Sequence, residues 1–186
     1  MRRLLALLAA AAALATTGCS GADLGAADGT EPAPTWSVPC EDGTTPVEPA
    51  GALALPCLGD ESETAVGVGD KPLVVTLWAS WCRPCIDEAP EIEAFHLAHG
   101  DRVDVLGVDT ADTRRQGLWF AEDFGFTFPS VFDADEELRT ALGFPGLPGI
   151  AFVNPDGTVA AVLNEPGVTA ERLTETAEAA FGLDLS

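Results

Sequence analysis

Basic residues are scarce: the 186-residue chain carries 9 Lys and Arg against 30 Asp and Glu, a formal net charge of −21. A surface this acidic repels phosphate backbones and anionic headgroups, which disfavours nucleic acid as a partner and means that staying at a membrane needs covalent acyl chains. Methionine is confined to Met1, which counts against a copper-delivery protein, where a cysteine pair is usually joined by histidine and several methionines. No repeat of roughly 20 to 50 residues is visible, so neither a solenoid nor a second domain is needed. The longest apolar run, residues 4–15, falls short of the ~20 residues a membrane-spanning helix requires.

That run is informative in another way. Met1-Arg2-Arg3 is a basic start, the apolar stretch follows, and Thr16-Thr17-Gly18-Cys19 supplies small residues ending in cysteine, the layout of an export signal. The last four residues resemble a bacterial lipoprotein box, with Thr16 where leucine is usual. Cleavage before Cys19 would free its sulfur for a lipid; plain secretion and an uncleaved anchor are the alternatives. Removal of residues 1–18 leaves 7 basic residues against 30 acidic ones, a charge of −23. Five cysteines is an odd number, which in an exported protein calls for an explanation. With Cys19 assigned to lipid, Cys82 and Cys85 form one close pair, and Cys40 and Cys57 remain for a structural disulfide worth roughly 3 kcal/mol by loop entropy.

The expected organisation is a signal at 1–18, a flexible tether and N-terminal extension at 19–50, and one domain at 51–186. Residues 20–49 are rich in Gly, Ala, Pro and acidic residues with little apolar periodicity; the part from Cys40 on is pinned by the bridge to Cys57. The domain reads as a buried strand at 73–79, a helix at 84–98, a strand at 103–108 and a helix at 113–124. A short helix at 135–142, a strand at 150–154, a Pro155-Asp156-Gly157 turn into a strand at 158–163, and a helix at 169–181 with Thr169 as cap complete it. This order predicts an α/β fold around a central mixed sheet flanked by helices.

The chemistry concentrates in Trp78-Ala79-Ser80-Trp81-Cys82-Arg83-Pro84-Cys85, at a strand-to-helix junction. The Cys82 sulfur stands at a helix N-terminus, where free N–H groups and the positive dipole end favour the reactive thiolate. Pro84 suits a first helical turn, and Arg83 brings a positive charge beside the same sulfur. Cys85, three residues on, can resolve a mixed disulfide formed at Cys82. Glu88 falls beneath Cys85 and can take the proton that Cys85 sheds; Asp87 points elsewhere and is read as solvated. A zinc knuckle needs two more ligands, and His96 and His99 lie about three turns down the helix, too far to close a tetrahedral site. A purely structural role for so small a loop gains little loop entropy. A thiol peroxidase of the Pro-x-x-x-Thr-x-x-Cys kind is disfavoured because residues 75 and 79 are Val and Ala.

These residues, with Glu88 and Pro90, resemble the thioredoxin superfamily, and within it the TlpA/ResA-like membrane-tethered extracytoplasmic branch, over about residues 53–181. The resemblance implies a thioredoxin-like fold with an N-terminal extension and an active-site helix kinked at Pro90. It implies a hairpin at Asn154-Pro155-Asp156-Gly157 and a cis-proline, Pro148, beside the cysteines. It makes Cys82, Cys85, Glu88 and Pro148 catalytic, and Trp81, Arg83, Pro84 and Leu147 contacts to the client, Leu147 through its backbone. Thr76 replaces the buried aspartate of cytoplasmic thioredoxins. The implied function is an extracytoplasmic thiol–disulfide oxidoreductase, lipid-anchored at the plasma membrane, using no metal and no cofactor beyond its redox disulfide. Its implied partners are client proteins, such as apocytochrome c in cytochrome c biogenesis, and a membrane electron donor. The direction is reduction; disulfide formation in exported proteins is the alternative, since a cation beside Cys82 makes the disulfide more oxidising.

Overall fold

The structure, a computed structural model, describes residues 32–186; the export signal, Cys19 and the first part of the tether lie outside them. Residues 33–186 form one compact unit.

Its frame is a five-stranded mixed sheet in the order β7-β6-β5-β8-β9. The strands are β5 (Leu73–Trp78), β6 (Asp104–Thr110), β7 (Ser130–Asp133), β8 (Gly149–Val153) and β9 (Val159–Leu163). β5, β6 and β7 run parallel, β8 antiparallel to β5, and β9 antiparallel to β8. Parallel neighbours cannot be joined by a tight turn, and the helices α1 (Arg83–His99) and α2 (Arg114–Asp123) make the two crossovers. A short α3 (Glu137–Ala141) follows β7, and α4 (Ala170–Phe181) closes the chain. Thr169 caps α4, its hydroxyl accepting from Arg172 N.

The central strand β5 is buried along its whole length, and its side chains alternate between two cores as strand geometry demands. Val74 and Trp78 join Ile92, Phe95, Phe120, Phe126 and Leu173 under α1, α2 and α4. Leu73, Val75 and Leu77 face the other way, onto Leu138 of α3 and the N-terminal segment. Each such fully buried aliphatic side chain contributes roughly 1.5–3 kcal/mol.

That N-terminal segment is more structured than its composition suggests. Four short strands, β1 (Thr45–Pro46), β2 (Ala54–Pro56), β3 (Glu63–Ala65) and β4 (Gly67–Val68), pair as β1 with β4 and β2 with β3, and bury Val47, Leu55, Val66 and Val68 against the sheet. Further upstream, Trp36 donates from Nε1 to the Phe126 carbonyl at 2.7 Å, and Thr35 donates twice to Glu122. Cys40 is bonded to Cys57, Cys57 bridges Val131 of β7, and Leu58 N donates to the Ser130 carbonyl. Packing onto the domain thus starts well before residue 51. β7 is the one sheet strand the sequence pattern does not announce: four residues, begun right after Pro129 and buried on both faces, leave no alternation to read.

Candidate active site: a disulfide at a helix N-terminus

β5 ends at Trp78, and the chain turns through Ala79, Ser80 and Trp81 before α1 begins at Arg83. Cys82 is the N-cap of that helix, with extended backbone, and its sulfur lies 3.3 Å from the Cys85 backbone N–H that points at it. Pro84, with no N–H to leave unpaired, stands in the first turn. Cys82 and Cys85 are joined as a disulfide with Cα atoms 5.3 Å apart. Both sit at the edge of the core, nearly buried. The helix continues through Pro90, whose ring removes one N–H from its ladder.

Glu88 lies one turn below Cys85, is 3 % exposed, and accepts at Oε1 from the N–H groups of Gly167 at 2.7 Å and Val168 at 3.2 Å. Burial pushes its carboxyl above the ordinary range, against the pull of those two donors. A cavity of about 10 Å³ lies between Cys85, Glu88, Thr76 and Pro148, at the lower limit for a single water. A raised carboxyl sharing a cavity with the second sulfur is a better base than an exposed glutamate would be.

The Leu147–Pro148 peptide is cis, and Asn164 Nδ2 donates to the Pro148 carbonyl at 2.6 Å. Leu147 and Trp81 line a groove of about 200 Å³ together with Ala111, Glu136, Arg139, Pro145 and Gly146. Trp81 is 62 % exposed, with its indole N–H donating to the Ala111 carbonyl. Among the expected client contacts, Trp81 and Leu147 therefore share one groove beside the disulfide. The Arg83 Nε lies 3.8 Å from the Asp87 carboxylate one turn along the helix, and both side chains are exposed.

His96 packs edge-on against Phe128 and His99 meets Thr174 of α4; among the described residues no group of three or more His, Cys, Asp or Glu is placed to hold a metal ion. Nor is any described helix long and apolar enough to cross a membrane. Sequence reasoning missed Ala111 and Asp112, which follow β6 and accept from Trp81 Nε1 and Ser80 N of the active-site loop, and Asp109, buried at the end of that strand. A signal existed: Asp109 interrupts the otherwise apolar end of that strand, where a charged residue is rarely left without purpose.

A mixed sheet whose central strand feeds a helix capped by a two-residue disulfide ring, with a cis-proline alongside, defines the thioredoxin-like class. The chain belongs to the AhpC/TSA family, whose sequence profile matches residues 46–162. It is 30% identical over 94 residues to a protein of Geobacillus thermodenitrificans named thiol-disulfide oxidoreductase ResA, a match covering 50% of this chain and 54% of that one. It is 31% identical over 116 residues to the thiol:disulfide interchange protein DsbE of Allochromatium vinosum, covering 60% and 62%. The matches thus span about half to under two thirds of these relatives' length. A solved structure of a secreted Mycobacterium tuberculosis disulfide oxidoreductase, described as homologous to Escherichia coli DsbE, superposes with a TM-score of 0.64 at 22% identity, covering 72% of this chain and 99% of the other. That likeness is one of fold.

Proposed function

We propose that this protein is an extracytoplasmic thiol–disulfide oxidoreductase that exchanges electrons with client proteins through Cys82 and Cys85. The observation that carries the reading is the disulfide at the start of α1, where a backbone N–H already points at the Cys82 sulfur. When the bond opens, the same donor and the helix dipole favour a thiolate on Cys82 over one on Cys85. In the reducing direction the Cys82 thiolate attacks a client disulfide, one client sulfur leaves as thiolate, and a mixed disulfide forms. Cys85 gives its proton to Glu88, across or through the small cavity they share, and attacks Cys82. The client departs with both its sulfurs reduced, and the Cys82–Cys85 bond closes, having lost two electrons. Trp81, Pro84 and Leu147 meet the client around the sulfur, and Pro148 holds that face. The names of the relatives in Geobacillus and Allochromatium agree with this chemistry.

The export-signal layout and Cys19 support a lipid anchor on the outer face of the plasma membrane, where a membrane thiol–disulfide donor would return the electrons. Apocytochrome c is the client class we favour. A second reading, oxidation of exported proteins, has one specific observation on its side: a donor that stabilises the Cys82 thiolate also stabilises the reduced protein and makes the disulfide more oxidising.

Trapping decides the matter. A Cys85→Ser protein cannot resolve mixed disulfides, so clients should accumulate covalently on Cys82 in membranes and be released by dithiothreitol. Absence of any such adduct, with a wild-type protein that also fails to reduce a model disulfide, would sink the proposal. Equilibration of the pair with glutathione ranks the two directions.

A further inference from the structure

Two corners of the groove beside the disulfide are held in strained backbone. Ala111 has φ 54° and Glu136 φ 60°, left-handed conformations that a residue with a Cβ adopts only at a cost. Both residues line the groove, and both of their N–H groups go to one acceptor, the carbonyl of Asp133 at the end of β7, at 3.2 Å from Ala111 and 3.1 Å from Glu136. The Ala111 carbonyl in turn accepts from Trp81 Nε1 at 2.9 Å. One wall of the groove is therefore fixed to Asp133 through Ala111.

The Asp133 side chain, buried at 1 % exposure, holds the other wall. Its Oδ1 accepts from Glu137 N at 2.7 Å, and its Oδ2 from Arg139 N and from Thr110 Oγ1, each at 3.2 Å. Glu136, the N-cap of α3, makes no side-chain cap bond, so the carboxylate on β7 satisfies the first N–H groups of that helix in its place. α3 carries Arg139, whose Nε donates to Glu136 Oε2 at 2.5 Å and whose Nη1 donates to the Phe144 carbonyl at 2.7 Å. Phe144 leads into Pro145, Gly146 and Leu147, which line the groove up to the cis bond before Pro148. Every one of these donors to Asp133 sits at the end of β6, in the turn after it, or at the start of α3, and bonds to a carboxylate are about twice as strong as those between neutral groups.

We propose that Asp133 is a positioning residue for client binding: it holds the strained corners at Ala111 and Glu136, so that Trp81 on one side and the Arg139–Phe144 brace ahead of Leu147 on the other stand at a fixed spacing before a client arrives. Buried behind the groove, Asp133 acts on the client only through these residues. Fixing the walls in advance removes the ordering that binding would otherwise have to supply. The proposal rests on the reading of Cys82 and Cys85 as a pair that serves protein clients. An aspartate that merely capped α3 would matter for stability and leave client binding alone. Asn at 133 keeps the shape and one acceptor oxygen, but its amide nitrogen cannot accept from Arg139 N.

The test is the steady-state reduction of insulin, with dithiothreitol as the electron source, by wild type, Asp133→Asn, Thr110→Val, Trp81→Phe and the double variant Asp133→Asn/Trp81→Phe, each at a temperature where thermal unfolding shows it folded. Asp133→Asn should raise KM for insulin about fivefold, the worth of one net hydrogen bond, with kcat within about twofold of wild type. Thr110→Val removes only the hydroxyl that donates to Asp133; it should move KM in the same direction by a smaller factor, and it keeps the test open should the Asn variant not fold. Because Asp133 acts in part through Trp81, the KM of the double variant should fall short of the product of the two single effects. Variants that are less stable but keep the wild-type KM would make Asp133 a helix cap and nothing more, and would overturn the proposal. So would single effects that multiply in full, or a loss confined to kcat. A wild-type Cys82–Cys85 bond that dithiothreitol opens but that never reduces insulin would instead count against the client reading, and the proposal would fall with it.

Discussion

The molecule holds two disulfides in opposite surroundings. Around Cys82 the backbone offers a donor: the Cys85 N–H points at its sulfur from the first turn of a 17-residue helix. Around the other pair it offers acceptors, with the Ser130 carbonyl 3.2 Å from the Cys40 sulfur and the Val38 carbonyl 3.8 Å from that of Cys57. A carbonyl oxygen repels a developing thiolate, while an N–H stabilises one. The enclosed loops differ as well, with sequence separations of 17 and 3, so only the first bond removes much freedom from the unfolded chain. One bond is placed to persist and the other to be exchanged; the same covalent chemistry is assigned its task by neighbouring backbone dipoles and by chain length.

The sharpest way to break this contrast is to delete one sulfur of each pair. Cys82→Ser should abolish reduction of a model disulfide such as insulin, leaving only background precipitation. Cys40→Ser should keep turnover near wild type while lowering unfolding free energy by about 2–5 kcal/mol, measured in urea. A Cys40→Ser protein that lost activity while still folded would join the two bonds into one system and undo the comparison.

Smaller effects sharpen it. Glu88→Gln should slow resolution of a mixed disulfide by about tenfold or more, within the range of general-base catalysis, and leave its formation at Cys82 nearly unchanged; quenched-flow trapping separates the steps. Burial holds the Glu88 carboxyl above its usual range, so the wild-type resolution rate should fall as pH drops through that raised value, and the Gln variant should lose this limb. Equal slowing of both steps would remove Glu88 from the proton path. The smallest change belongs to Arg83→Gly. The guanidinium is exposed and paired with Asp87, so the reduction potential should move by less than the ~30 mV that corresponds to tenfold in the equilibrium constant. A larger shift, shrinking with salt, would show that Arg83 acts on the sulfur in the reduced protein.

How much of this was legible in the sequence depends on where the information is stored. The strand, N-cap and helix around Cys82 are written locally, in an apolar run, a Cys-x-x-Cys spacing and a proline suited to a first turn, and the structure has them at Leu73–Trp78 and Arg83–His99. The bridge between Cys40 and Cys57 followed from counting cysteines. β7 was not legible, because four residues buried on both faces carry no period. Asp109 was legible only as a charge in a buried strand: that Gly117 packs over it and Trp78 stands beside it in register is a property of the packed sheet and not of any window of sequence. Arg83 is read locally too: adjacency in sequence suggests an influence on the sulfur, and the structure adds the Asp87 carboxylate one turn along, with both side chains exposed, so that solvent and a counter-charge screen it.

The bridge from Cys57 to Val131 has a consequence for solubility. β7 is the outermost strand of the sheet on its side, and a bare edge of this kind exposes unpaired backbone groups to which another chain can add a strand. Cys57 and Leu58 occupy part of that edge, and the bond to Cys40 fastens the segment in place. At the opposite edge no strand among the described residues pairs with the outer side of β9, and its Val162 is largely exposed. Loss of the Cys40–Cys57 bond would therefore leave the sheet with two adhesive borders in place of one, and intermolecular strand pairing, seen as thioflavin-positive oligomers of the reduced protein, would accompany the loss of stability.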